Sequence, residues 1–207
     1  MTTHDILVDG SASFEDCLVL AHGAGAPMDS EFMNDMAAKL AARKVRVVRF
    51  EFPYMTERRA TGKRRPPNTP KRLQDCYREV IAQLGKPERL VIGGKSMGGR
   101  IASMVADDEG VRGVVCLGYP FHPPGQPEKL RTQHLEKLKT ETLIVQGERD
   151  TFGTRDEVKS FSLSRKIRFE WMPDGDHSFK PRVKSGHTLE GNLMVCVEAV
   201  ARFVARL

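Results

Sequence analysis

Six short apolar runs punctuate the chain, and stretches with helical periodicity separate them. Cys17-Leu18-Val19-Leu20-Ala21, Leu90-Val91-Ile92, Val114-Val115-Cys116-Leu117 and Thr142-Leu143-Ile144-Val145-Gln146 are nearly continuous. Val45, Val47, Val48 and Phe50 form a run rich in β-branched residues that stops near Pro53, and Ile167, Phe169 and Trp171 alternate through the last. Runs of this length and continuity read as strands covered on both faces. Between them, Phe32, Met33, Met36, Ala37, Leu40 and Ala41 share one helix face, with Asp29 or Ser30 as the N-cap. Thr69 suits an N-cap and Pro70 a first helical position, where a missing N–H costs nothing. Leu73, Cys76, Tyr77, Val80, Ile81 and Leu84 make the buried stripe of that helix, and Gly85 ends it. A further helix after Ile92 stops near Gly110, and a closing helix buries Leu193, Val197, Val200 and Val204. Strand and helix in strict alternation predict the α/β class: a single domain over residues 1–207, a mostly parallel sheet with helices on both faces. Residues 121–141 open with the proline-rich Phe121-His122-Pro123-Pro124-Gly125 and are expected to hold one short helix.

The chain has 207 residues, enough for one substantial core. No apolar run approaches the roughly 18 residues that span a bilayer. The segment Met1-Thr2-Thr3-His4-Asp5 has no basic stretch followed by an apolar one, so no secretion signal is expected. Cys17, Cys76, Cys116 and Cys196 are far apart and form no C-x-x-C pair. They read as free thiols, three of them in apolar patterns, in a reducing, cytoplasmic compartment. Residues 56–72 hold seven cations (Arg58, Arg59, Lys63, Arg64, Arg65, Lys71, Arg72) against Glu57 alone, so this one loop carries the whole net charge of +6. It lacks interleaved aromatics and is a single segment rather than a basic face, which argues against nucleic acid. A solvated loop is one reading. The other is an attractor of anionic substrates, because the loop follows a strand at its carboxyl end.

Gly94-Lys95-Ser96-Met97-Gly98 joins the run Leu90–Ile92 to a helical pattern. A serine on a sharp strand-to-helix turn has its hydroxyl pushed out of the fold, in backbone strain that only small neighbours permit. The following helix aims its first free N–H groups at that serine. In an open parallel sheet, sites form at the carboxyl ends of the strands. Asp150 stands just past the run Thr142–Gln146, and His177 lies in the loop after the last strand. A neutral serine needs a base within reach, and the base needs an acceptor that fixes its tautomer; Ser96, Asp150 and His177 occur in the order expected for that chemistry. Asp174 and Asp176 compete for the acid's role but are too close in sequence to His177 to reach its far ring nitrogen easily, and His187 is a fallback base. The loop His22-Gly23-Ala24-Gly25 bears on the developing charge, because the backbone N–H groups of Met97 and Ala24 are candidate donors to an oxyanion. His22, Gly23, Tyr54, Arg58 and His122 are candidate substrate contacts, with His22 expected to prop its loop rather than transfer protons. No phosphate-cradling loop is present, since Arg89 stands where its first glycine is required, and no dinucleotide fingerprint opens the first helix. Histidines and cysteines have no metal-ligand spacing. Neither a cofactor nor a metal is expected.

With these residues in place the chain resembles the α/β-hydrolase superfamily from about Cys17 onward. It is similar in particular to the small lidless dienelactone-hydrolase-like enzymes and to a hydrolase-like family related to testis-expressed proteins and a subunit of a nuclear acetyltransferase complex. The shared segments are His22-Gly23-Ala24-Gly25, Phe52-Pro53-Tyr54, Gly94-Lys95-Ser96-Met97-Gly98-Gly99, Gly118-Tyr119-Pro120, Gly147-Glu148-Arg149-Asp150 and Gly175-Asp176-His177-Ser178-Phe179. The resemblance implies Ser96 as nucleophile, His177 as base, Asp150 as its orienting acid, and Met97 and Ala24 as oxyanion donors. The N-terminal antiparallel strands are reduced, and the stretch 120–142 is too short to close over a long acyl chain, which speaks against lipase-type substrates. The expected activity is a serine hydrolase of an ester, thioester or similar small acyl compound, acting through an acyl-enzyme. The alternative is an interaction module that keeps the fold with an idle site.

Overall fold

A computed structural model describes residues 3–207. Its centre is a seven-stranded sheet in the order β1-β3-β2-β4-β5-β6-β7. The strands are β1 (Ile6–Asp9), β2 (Cys17–Ala21), β3 (Arg46–Phe50), β4 (Leu90–Lys95), β5 (Gly113–Leu117), β6 (Thr142–Gly147) and β7 (Ile167–Met172). All neighbours are parallel except β1, which runs antiparallel to β3. The helices are α1 (Glu31–Ala41), α2 (Pro53–Thr61), α3 (Pro70–Leu84), α4 (Met97–Glu109), α5 (Arg155–Val158) and α6 (Leu189–Arg206).

The apolar runs are continuous because both faces of the sheet are covered. Along β2, Val19 and Ala21 belong to one core layer and Leu18 and Leu20 to the other. Val114 and Cys116 of β5 follow the same division against Val115 and Leu117. The first layer packs under α2, α3 and α4, and the second under α1 and α6. The α3 boundaries follow the sequence signals: the Thr69 side chain accepts from the Arg72 amide, Pro70 opens the helix, and Gly85 closes it at positive φ. Ser30 caps α1 by position, although its hydroxyl makes no capping bond.

Three local features differ from the sequence expectation. The basic stretch is not a loop from its start: Arg58 and Arg59 lie on α2, which Pro53 opens and Gly62 stops. Residues 121–141 contain turns but no helix; Phe121, Leu135 and Leu138 anchor them to the first core layer, and burial of these side chains replaces helical pairing as what orders the segment. The strand β1 and the single-turn helix α5 are too short to leave a periodic trace. No described helix is long and apolar enough to cross a membrane.

Register places the site. Ala21 pairs with Gly94, and Gly94 with Cys116, so β2, β4 and β5 end level with one another. The segments that leave these ends carry His22–Gly25, Ser96 and Gly118, and those that leave β6 and β7 carry Asp150 and His177.

Candidate active site

Ser96 sits between β4 and α4 with φ 51° and ψ −113°, a conformation L-residues rarely adopt. Its amide donates to the Leu117 carbonyl oxygen at 3.0 Å, which ties the turn to β5. The glycines of the motif allow the turn: a Cβ at Gly94 would stand 2.3 Å from the Ala21 carbonyl oxygen, and one at Gly98 2.4 Å from the same atom. Backbone strain of this kind is held by the surrounding structure.

The Ser96 hydroxyl lies 2.9 Å from His177 Nε2, and His177 Nδ1 lies 2.7 Å from Asp150 Oδ2. Asp150 is fully buried, so its carboxylate fixes the tautomer: Nδ1–H donates to Asp150, which leaves Nε2 free to accept from Ser96. Asp150 also accepts from the Phe152 amide at 2.9 Å and from Gln146 Nε2 at 2.9 Å. The Phe152 ring lies against the imidazole, 4.2 Å between centroids. The loops carrying Asp150 and His177 are joined by main-chain and ionic contacts. The Arg149 amide donates to Gly175 O at 2.9 Å, and the Arg149 guanidinium pairs with Asp174.

The two nearby acids are engaged elsewhere. Asp174 binds Arg182 at 2.5 Å, and that guanidinium holds its carboxyl down to about 2. Asp176 accepts from the amides of Ser178 and Lys180. His187 is exposed and makes no contact with Ser96. A second serine–histidine pair exists, Ser103 with His134 Nε2 at 2.9 Å, but the Ser103 hydroxyl also reaches its own helix at Arg100 O. No described carboxylate orients His134, and burial with the nearby Arg100 holds its pKa down to about 4.

The loop after β2 lies against the turn that carries Ser96: a Cβ on Gly23 would be 3.8 Å from Ser96 Cβ. His22 is fully buried, with Nδ1 donating to Gly23 O at 2.6 Å and Nε2 accepting from the Phe52 amide at 3.1 Å. Burial lowers its pKa and favours this neutral form. The peptide is planar and trans, so holding Gly23 O on His22 turns the Ala24 N–H the opposite way. Tyr54 donates its hydroxyl to Ala24 O at 2.9 Å. Neither the Ala24 nor the Met97 amide donates to an acceptor among the described residues.

A cavity of about 880 Å³ opens beside Ser96, with Ala24, Phe32, Met33, Phe152, Leu189 and Leu193 supplying apolar wall and Glu31, Asp35 and Glu190 supplying carboxylates. Gly23 lines it; His22, Tyr54, Arg58 and His122 do not. His122 is buried, with Nδ1 on Pro123 O at 2.9 Å. Arg58 reaches Gly25 O at 3.4 Å. No residue of the segment 56–72 lines the cavity, and much of that charge is balanced: Arg59 pairs with Glu51 and Asp29, Arg65 with Glu57, Lys71 with Asp75, and Arg72 with Glu79. None of residues 120–142 covers it either. Among the described residues no group of three or more His, Cys, Asp or Glu could hold a metal ion.

Residues 14–205 match the family model of the alpha/beta hydrolase domain. The chain belongs to the alpha/beta hydrolase domain family. Among solved structures this hydrolase-fold chain is similar to an a/b serine hydrolase without lid from Xanthomonas campestris, at 18% identity and TM-score 0.69 over 96% of this chain and 88% of that one. It is similar to a dienelactone hydrolase from Anabaena variabilis, at 18% identity and TM-score 0.72 over 97% and 90%. A monoacylglycerol lipase from Paleococcus ferrophilus matches at 13% identity and TM-score 0.72 over 99% of both chains. At these identities the likeness carries the fold.

Two residues at this hydrolase-fold site went unread in the sequence. Gln146 is fully buried, and its amide spans the Tyr119 main chain and Asp150. Its only signal is a lone amide closing an apolar run. Lys95 lies inside the motif, where the glycines and serine draw the eye.

Proposed function

We propose that this chain is a serine hydrolase that cleaves a small carboxylic ester or thioester through an acyl-enzyme. The observation that carries this reading is the unbroken hydrogen-bonded series Ser96–His177–Asp150, whose first two members line the cavity. His177 Nε2 takes the hydroxyl proton as Ser96 Oγ bonds to the carbonyl carbon, and the carbonyl electron pair moves onto oxygen. The Met97 and Ala24 N–H groups meet that oxyanion; each donor is worth roughly 3–4 kcal/mol of transition-state stabilisation. On collapse the leaving alcohol or thiol takes the proton from His177 Nε2. Water then gives a proton to Nε2 and attacks the acyl carbon, the acid departs, and Ser96 regains its hydrogen. Asp150 remains a carboxylate throughout and stabilises the imidazolium. Turnover of short p-nitrophenyl esters and acyl thioesters tests the reading; no hydrolysis across such a panel would leave the interaction-module alternative standing.

The cavity argues for neutral substrates. Glu31, Asp35 and Glu190 line it against one cation, Lys95; Asp35 and Glu190 share Lys39, whereas Glu31 has no ion-pair partner among the described residues, so the carboxylates outweigh the cations. At low ionic strength an anionic ester is therefore expected to show about 3- to 10-fold lower kcat/KM than its neutral isostere, with the gap closing as salt is added. Glu31→Gln should narrow the gap, and equal rates for the two esters at low salt would contradict it.

Gln146 Nε2 donates to the same Asp150 oxygen that faces His177 Nδ1, and so restrains the carboxylate. In Gln146→Leu the carboxylate loses that restraint, and kcat should fall about 10- to 100-fold with little change in KM, since small displacements of a reacting group carry such losses. Steady-state kinetics on one soluble ester measures this.

A further inference from the structure

We propose that Lys95 is a positioning residue of this site, its ammonium donating to the His177 carbonyl oxygen and so holding the imidazole over Ser96. The proposal rests on the hydrolase reading above. Lys95 Nζ lies 2.6 Å from His177 O. This is the one hydrogen bond that reaches the main chain of His177 among the described residues. His177 belongs to neither helix nor strand; Asp150 and Ser96 meet its ring nitrogens and Phe152 its face, and among the described residues Lys95 alone holds its main chain.

The surroundings are built around that ammonium. It stands 5.7 Å from the ring centroids of Phe32 and of Phe179, a placement that holds a cation by the faces of two aromatics. No carboxylate among the described residues pairs with it directly. At the end of β5, Gly118 has φ +71°, and a Cβ there would stand 2.7 Å from Lys95 Nζ, 3.1 Å from His177 O and 3.4 Å from His177 Cε1. Any side chain at 118 would occupy the space where the ammonium meets the base. The end of β4, the end of β5 and the loop after β7 thus converge on one hydrogen bond, and the same residue that precedes the nucleophile holds its base.

Burial pushes Lys95 down to about 8, opposed by the charges of Asp150 and Asp176. The groups facing it are Asp150 from the β6 exit, Asp176 and His177 from the loop after β7, and Cys196 of α6, with Glu31, Asp35 and Glu190 across the cavity. Burial raises the Cys196 thiol well out of this range. The bond is therefore fully charge-assisted well below pH 8 and weakens as the pH rises through it, when the neutral amine donates without the charge.

The second-order rate of fluorophosphonate labelling at Ser96, followed from pH 6 to 10, tests the proposal in wild type, Lys95→Met and Lys95→Gln. Wild type should label with a fall above pH 8. Both variants should label about 30-fold more slowly at pH 7 and lack that alkaline fall, because the base is misplaced at every pH. If wild type labels and the variants match it in rate and profile, Lys95 has no such role and the hydrolase reading stands. If wild type does not label, the hydrolase reading and this proposal fall together. Should both variants fail to fold, the wild-type profile decides: labelling that stays level from pH 7 to 10 overturns the proposal.

Discussion

Ser96→Ala is expected to remove all fluorophosphonate labelling and to lower kcat by about 10⁴- to 10⁶-fold, with little change in KM. Loss of a nucleophile that acts as a unit with its base has consequences of this size, and the residual rate comes from the oxyanion donors and from binding. Active-site titration together with steady-state kinetics measures both quantities. A companion variant separates chemistry from strain. Ser96→Gly should be equally inactive but melt at a higher temperature than wild type, because glycine adopts φ 51°, ψ −113° without the side-chain penalty. Strain of this kind is worth about 1–3 kcal/mol. A lower melting temperature for Ser96→Gly than for wild type would show that the turn is relaxed, against the backbone angles.

The second large effect falls on stability. Gly93→Ala is expected to cost more than about 4 kcal/mol, a large part of the total for a domain, and to yield mostly insoluble protein. A Cβ at Gly93 would stand 2.0 Å from Val115 O and 2.9 Å from Val115 C, both main-chain atoms of the neighbouring strand, so no side-chain rotation relieves the clash. The buried Tyr77 hydroxyl also lies among Val19 O, Gly93 O and the Gly93 amide, and it would be displaced with β4. Urea unfolding of whatever soluble fraction is recovered measures the loss; a midpoint within error of wild type would contradict the packing of β4 on β5.

The parts of the fold that were legible in the sequence are those where one physical signal acts alone. The runs Leu18–Ala21 and Val114–Leu117 are buried on both faces, so their hydrophobicity is unbroken, and Thr69, Pro70 and Gly85 mark α3 through local backbone chemistry. The strand β1 has four residues, mostly half-buried at the sheet edge, and it leaves no such mark. The turns of 121–141 are ordered by Phe121, Leu135 and Leu138 entering the core, which is tertiary information. At the site, Ser96, Asp150 and His177 could be proposed because each follows a strand end. The cavity wall could not, since Phe32 and Leu193 read as ordinary core residues of α1 and α6 until the two helices are seen side by side. Charge reads in the sequence as a property of a segment, whereas in the fold Arg65, Lys71 and Arg72 pair with acids nearby in the chain and Arg59 also with the distant Asp29.

Most of the cavity wall comes from residues 23–35 and 189–193, near opposite ends of the chain, while Ser96, Asp150 and His177 lie on the segments after β4, β6 and β7. Apart from Ala24 and Phe152, the side chains that shape the apolar wall of the cavity and the Ser96–His177–Asp150 series are encoded in different stretches. Drift at Phe32, Leu189 or Leu193 would reshape the hollow and leave the spacing of Ser96, His177 and Asp150 as it is, a route by which a compact fold could change its guests without rebuilding its centre.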